Sequence, residues 1–259
     1  MSDSKNKAEA FRALHVAGRP LVLFNVWDPG SAKAVAAAGA SAIATGSWSV
    51  AAANGFADGE HTPLDLAIDN LTRIVGATVL PVSIDLESGY GKTAAEVGHT
   101  IGRAIKAGAV GCNLEDSFPE SGKLRTSNEQ VQRIREARLV ADAAGFRYFI
   151  NARVDVFFQK PPPQHDESML KEAIERARAY ADAGADGIFA PGLIDRALIA
   201  RLAAASPLPL NILIDEGSPG IEALAAAGVA RVSHGPGPYL EVMKMLEERA
   251  RAVTAGRAR

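Results

Sequence analysis

A chain of 259 residues with 47% apolar and 22% charged residues has the material for a large core and not the composition of a disordered chain. Its formal net charge of −2, without a Lys/Arg cluster interleaved with aromatics, excludes nucleic acid and an anionic membrane surface as implied partners. No apolar run approaches the roughly 20 residues of a membrane span, MSDSKNKAEA is too polar for a signal peptide, and the lone Cys112 excludes an internal disulfide, so a cytoplasmic protein is expected.

In chain order, residues 5–17 carry helical spacing and are placed to close one end of the fold, and LVLFNV (21–26) is a continuous apolar strand. Asp28, Pro29 and Gly30 open a helix, with Asp28 as N-cap and Pro29 at its first position, and this helix ends at Gly39. The strand SAIATG leads into SWSVAAANGFADGEHTP, a long stretch without periodicity and too apolar for disorder, as functional loops are. Helices at 63–77, 93–107, 127–144 and 167–183 then alternate with strands at 79–85, 109–114, 146–151 and 186–190. Helix 194–204 leads to strand 208–213, helix 219–227 to strand 229–233, and a last helix fills about 238–254. AAAGASAIA, KAGAVGCNL, AAGFRYFI, DAGADGIFA and AAGVARVS repeat one rhythm of Ala-rich helix end, C-cap glycine and apolar strand. Eight such units predict a single α/β domain over 1–259, a (β/α)8 TIM barrel, with a doubly wound sheet as the alternative.

A barrel of this kind carries its functional groups at the C-terminal ends of the strands. Taken strand by strand, those ends hold Asn25, Trp27 and Asp28; Ser47, Trp48 and Asp58; Asp85 and Glu87; Glu115 and Asp116; Asn151, Arg153 and Asp155; Pro191; Asn211; and Ser233 with His234. In PVSIDLESGYG (81–91), strand alternation sets Asp85 and Glu87 on one face with Leu86 opposed. Two carboxylates in one space repel unless a cation neutralises them, and oxygen ligands suit a hard ion such as Mg2+. Glu115 and Asp116, which end the run CNLEDS, extend the oxygen set, while helix capping or turn hydrogen bonds are the other use of such acids. Arg153 in INARVD is placed to grip a substrate carboxylate bidentately, or to pair with Asp155 or Glu115. The amides of TGSWS (45–49) can hold a second carboxylate or a carbonyl oxygen, and Asn211 can add an amide. Mg2+ opposite amides and an arginine suits a 2-oxo acid, whose carbonyl the metal chelates. GKT (91–93) is not a P-loop, because Leu86 stands where its first glycine belongs, and no dinucleotide fingerprint, nucleophile elbow or zinc spacing is present.

NVWDPGSAKAVAAAGASAIATGSWS, SIDLESGYG, NLEDS, INARVDVF and PLNIL, in this order along nearly the whole chain, resemble the isocitrate lyase and phosphoenolpyruvate mutase superfamily. The resemblance implies a (β/α)8 barrel assembled as tetramers that exchange a helix between subunits, and Mg2+ chemistry on 2-oxo or 2-hydroxy acids through an enolate-like intermediate. By position, Asp85, Glu87 and Glu115 are similar to the metal-holding acids, with Glu87 where a second Asp is usual. Asp58 resembles an acid near the reacting centre; Ser47, Trp48 and Ser49 match the substrate-oxygen segment, and Arg153 and Asn211 the carboxylate-binding positions. The lyase segment K-[KR]-C-G-H is replaced by SFPESGKLRT, in which Lys123 corresponds to the lysine of a gating loop. The resemblance therefore implies a Mg2+- or Mn2+-dependent lyase, other than a standard isocitrate lyase, for a small 2-oxo or 2-hydroxy dicarboxylic acid. Asp58, Lys123 and Arg153 are its expected catalytic residues, and a dimer or tetramer of this chain its expected assembly. P–C chemistry on phosphonopyruvate and 2-oxo-acid binding with little turnover are the alternatives.

Overall fold

A computed structural model describes residues 2–256; the ends of the expected 1–259 unit lie outside the described residues. The chain opens with α1 (Ser2–Ala13) and continues β1 (Leu21–Leu23), α2 (Pro29–Ala37), β2 (Ile43–Ala44), α3 (Ser47–Ala53), α4 (Leu64–Gly76) and β3 (Val82–Asp85). Then follow α5 (Ala94–Lys106), β4 (Gly111–Glu115), α6 (Ser127–Ala143), β5 (Phe149–Arg153), α7 (Glu167–Asp182) and β6 (Gly187–Phe189). The last elements are α8 (Arg196–Ala205), β7 (Leu210–Leu213), α9 (Ile221–Ala226), β8 (Arg231–Ser233) and α10 (Gly237–Thr254). The eight strands pair in the order β1-β8-β7-β6-β5-β4-β3-β2, each pair parallel. Between β1 and β2 a single parallel bridge, Val26 with Thr45, closes the ring. The architecture is a nearly closed (β/α)8 barrel.

Local chemistry sets the helix starts. Asp28 accepts from the Ser31 amide while the Ser31 hydroxyl accepts from the Asp28 amide, with Pro29 in the first turn of α2. Thr93 and Glu96 make the same reciprocal pair at α5, and Asp166 caps α7. The region 47–63, expected as an irregular loop, contains α3, because SWSVAAA buries Ser49, Val50 and Ala51 against the barrel. No helix among the described residues is long and apolar enough to cross a membrane.

Residues alternate along each strand between two environments. Ile84, Leu114, Ile150, Ile188, Ile212 and Val232 belong to one apolar cluster with helix residues such as Val97, Ile134, Ala173 and Leu202. At the N-terminal end of the barrel, Phe11 of α1 is fully buried with Leu21, Leu23, Ala42, Val110 and Phe149. The expected end-closing helix is therefore real, although it stops at Ala13, since the chain turns back through the Val16–Arg19 bridge.

One buried acid ties this end together. Asp186, before β6, accepts from Arg12 of α1 at 2.6 Å, from Arg138 of α6, from Arg147 at 3.5 Å and from the Ile150 amide at 2.9 Å. Removing one partner of a buried ionic cluster leaves charge uncompensated. Asp186→Ala is expected to cost about 3 kcal/mol, measured as a lowered urea midpoint with the m-value unchanged. A loss under about 1 kcal/mol, the size of an exposed pair, would show that α1 is held by its apolar face alone.

Candidate active site

At the opposite end the strand termini surround a cavity of about 490 Å³, whose polar lining includes Ser47, Asp58, Asp85, Arg153, Asp215, Glu216, His234 and Glu241. Asp85 is the last residue of β3. Its amide donates to the Thr45 hydroxyl at 2.9 Å, and its Oδ2 accepts from the Ser47 amide at 3.2 Å. The Ser47 hydroxyl lies 3.4 Å from Asp58 Oδ1, so one serine at the start of α3 joins two acids from different loops. Burial first, and the Asp85 charge next, raise the Asp58 carboxyl above the usual range.

Arg153, ending β5, faces this pair. Its guanidinium meets Glu115 at 2.5 Å and binds Asp155 with two nitrogens, at 2.6 and 3.1 Å. Burial disfavours its charge, but Asp155 and Glu115 outweigh that and hold it firmly protonated. Glu115 is raised well above the ordinary carboxylate value by burial, against the pull of Arg153. Of the two uses foreseen for Arg153, the pairing with Asp155 and Glu115 is the one observed; the residue also lines the cavity.

Glu87 departs from the strand alternation expected for it. The strand ends at Asp85, and Glu87 has φ 51°, which turns its side chain out of the register of Asp85. Its carboxylate accepts from the Gly59 and Glu60 amides at 2.9 and 2.6 Å and from the Tyr90 hydroxyl at 2.9 Å. Glu60 returns the contact, accepting from the Ser88 hydroxyl at 2.7 Å and the Tyr90 amide at 2.8 Å. Glu60, Glu87 and Tyr90 are the non-glycine residues with positive φ among those described, so this clasp is bought with backbone strain. Burial, then Asp85 and Asp58, push the Glu87 carboxyl up to about 7. The clasp fixes the turn that carries Asp58.

Other expected site residues lie elsewhere. Asp116, read as a further oxygen ligand, is fully buried beneath the mouth, where it accepts from Arg176 at 3.0 Å, Tyr180 at 2.7 Å and the Asp155 amide at 2.9 Å. Asn211 belongs to a buried layer one step down the barrel: Asn151 donates to it and to Asn113, and its own amide donates to Ser233 and to backbone carbonyls. Its hydrogen bonds are used, and two residues further on it is Leu213 that reaches the cavity. Ser49 is fully buried within α3. Lys123 follows a tight turn at 118–122 and is exposed, outside the cavity lining. Trp48 lines the cavity through its exposed ring. Among the described residues no three His, Cys, Asp or Glu side chains converge as a ready metal cage. Sequence reasoning missed Glu60 and Tyr90, for which no signal exists beyond the turn glycines around them, and Phe189 and Leu213, which counting by twos along β6 and β7 finds.

The phosphoenolpyruvate phosphomutase family model matches residues 11–254. The chain belongs to that family. A crystal structure of a phosphonomutase candidate from Burkholderia cenocepacia is 57% identical, covers 98% of this chain and 99% of that one, and superposes with a TM-score of 0.94. An uncharacterized protein of Mycobacterium tuberculosis is 35% identical over 248 residues, 95% of this chain and 90% of that one. The 2-methylisocitrate lyase of Escherichia coli is 30% identical over 216 residues, 80% of this chain and 70% of that enzyme. A phosphonopyruvate hydrolase solved with oxalate and Mg2+ shares the fold at 22% identity and a TM-score of 0.79, covering 96% of this chain and 88% of that one.

If Glu60, Glu87 and Tyr90 act as one clasp, their losses do not add. Tyr90→Phe removes a hydrogen bond to a carboxylate, and about 1–2 kcal/mol of stability with it. Glu60→Ala is expected to cost at least as much in urea unfolding, and the double variant less than the sum. Strict additivity would mean two independent contacts.

Proposed function

We propose that the protein is a cytoplasmic Mg2+-dependent lyase-type enzyme that cleaves a C–C bond, or releases CO2, in a small 2-oxo or 2-hydroxy dicarboxylic acid. The observation that carries this reading is the unbalanced acid at the barrel mouth. Asp85 forms no ion pair among the described residues, yet Asp58 and Glu87 both feel its charge, and the cavity's one guanidinium is already shared by Glu115 and Asp155. Such a set of oxygen donors fits a hard divalent cation, Mg2+ or Mn2+. Asp85 would hold the ion, with Asp58 and Glu115 near it. Glu87 is the departure from the expected ligand set, because its oxygens already receive three donors.

A bound Mg2+ supplies Lewis-acid polarisation of the substrate's 2-oxo or 2-hydroxy oxygen. Arg153 binds a substrate carboxylate through guanidinium edges directed by Asp155 and Glu115. Asp58, with its raised carboxyl and its hydrogen bond to Ser47, can hold or take up a proton beside the reacting carbons. Trp48 and the apolar wall keep water from the developing charge. Lys123 joins the site only if the 118–126 segment closes over the mouth. The kinship with a 2-methylisocitrate lyase favours C–C cleavage, while the closer likeness to a phosphonomutase candidate keeps P–C chemistry on phosphonopyruvate as the second reading.

The same reading includes assembly as a dimer or tetramer of this chain. Of α10, only Pro238 is buried, whereas Leu240, Val242, Met245, Leu246 and Val253 are exposed. The loosely closed seam between β1 and β2 leaves a second cavity of about 630 Å³, lined by Leu14, Leu21, Val22, Phe24 and Val35. An exchanged α10 would cover such surface in a partner. Leu246→Glu is expected to lower the mass measured by light scattering to that of a smaller species; an unchanged mass would remove α10 from the interface.

Pyruvate release from oxaloacetate, methylisocitrate, dimethylmalate and phosphonopyruvate, with Mg2+ and with chelator, tests the activity. One member is expected to turn over in a chelator-sensitive way, with Asp85→Ala at least 100-fold slower and without the Mg2+-induced rise in Tm that the parent shows. Turnover untouched by Asp85→Ala at limiting Mg2+ would refute the assignment.

A further inference from the structure

Part of the lining of the main cavity is apolar: Phe158, Phe189, Pro191, Leu213 and Ile214, from the ends of β5, β6 and β7, lie between Arg153 and the pair Asp215 and Glu216 in chain order. Two of these side chains are admitted by special backbone. Gly192 has φ +79°, and a Cβ on it would lie 2.8 Å from the Phe158 ring; Gly235 has φ +52°, and a Cβ on it would lie 2.9 Å from Leu213. The Phe158 ring lies 5.4 Å from the Arg153 guanidinium, so the apolar wall begins beside the group that grips the carboxylate. That ring is 48% exposed.

Charge points the same way. Arg153 is the only Arg or Lys lining the cavity among the described residues, and it is committed to two acids. Beyond Leu213 and Ile214 the wall continues into Asp215 and Glu216, both exposed. A carboxylate at the distal end of a substrate would meet no cation there and two like charges instead, whereas an alkyl or aryl group would remove apolar wall from water.

We propose that this wall is a substituent pocket: in the dicarboxylic acid of the lyase reading both carboxylates sit on the reacting carbons, and the group carried beyond those carbons is alkyl or aryl, not a third carboxylate. The inference rests on the lyase reading only in placing the acid end at Arg153. Its test is binding, which needs no turnover. Isothermal titration with Mg2+ present would compare pyruvate, phenylpyruvate, 2-oxohexanoate and 2-oxoglutarate. Phenylpyruvate and 2-oxohexanoate are expected to bind at least tenfold more tightly than 2-oxoglutarate. Phe158→Ala should shrink that ratio, and Glu216→Lys should shrink it from the other side by tightening 2-oxoglutarate; both positions are exposed, and retained Tm confirms folding. A preference for 2-oxoglutarate, or a ratio that neither variant moves, overturns the pocket and leaves the lyase reading standing. Failure of all four acids to bind overturns both.

Discussion

Mutual repulsion of carboxylates at one end of the barrel is the constraint around which the mouth is organised. Asp58, Asp85, Glu87, Glu115, Asp116 and Asp155 converge on the ends of four successive β/α units, and two charges about 4 Å apart repel by roughly 4 kcal/mol at a protein surface. Each acid is dealt with differently. Asp116 is neutralised by Arg176 and Tyr180 beneath the surface, Glu115 and Asp155 divide Arg153, and Glu87 is wrapped by amides and a phenol. Asp85 and Asp58 are left with Ser47 and little else. The pair left without an arginine is therefore the one that faces the cavity.

That pattern explains what could be read from the chain beforehand and what could not. The barrel was legible because helix caps such as Asp28 and Thr93, C-cap glycines and apolar strands recur with one period, and these are local signals. Asp85 and Arg153 were legible for a similar reason, as charged ends of apolar strands. Glu87 was misplaced because parity along a strand holds only while the strand lasts, and a φ of 51° two residues past its end is invisible in a sequence. Asn211 failed in the opposite way: the strand continues through it, so it stays inside the barrel among Asn113, Asn151 and Ser233. Asp116 was placed by neighbourhood to Glu115, although just past the end of β4 its side chain turns down to Arg176 and Tyr180.

The two ends of the barrel solve different problems with the same kinds of residue. Below, apolar Phe11 and Phe149 stack edge to face at 5.5 Å and the buried Asp186 collects three arginines, so the acid there is fully paired for stability. Between the ends, a layer of asparagines hydrogen-bonds with Ser233 and Arg231, and separates the plug from the acidic mouth. Stability and chemistry are thus carried by different strand levels, which allows acid surplus at the top without undermining the core.

The mouth is finished by α10 as well as by the β/α loops. Tyr239, in the first turn of α10, sets its ring edge-on to Trp27 at 5.1 Å and packs near Trp48 at 6.0 Å, while Leu240 and Glu241 line the cavity itself. The remainder of α10 leaves its own barrel with its apolar residues uncovered. Phe24 lies at the junction, lining both the main cavity and the cavity at the β1–β2 seam. Packing at that seam therefore also bears on the outer wall of the cavity. The seam and the main cavity share residues here, so a change that alters packing of α10 acts on the cavity through Tyr239 and Phe24, without touching Asp85 or Arg153.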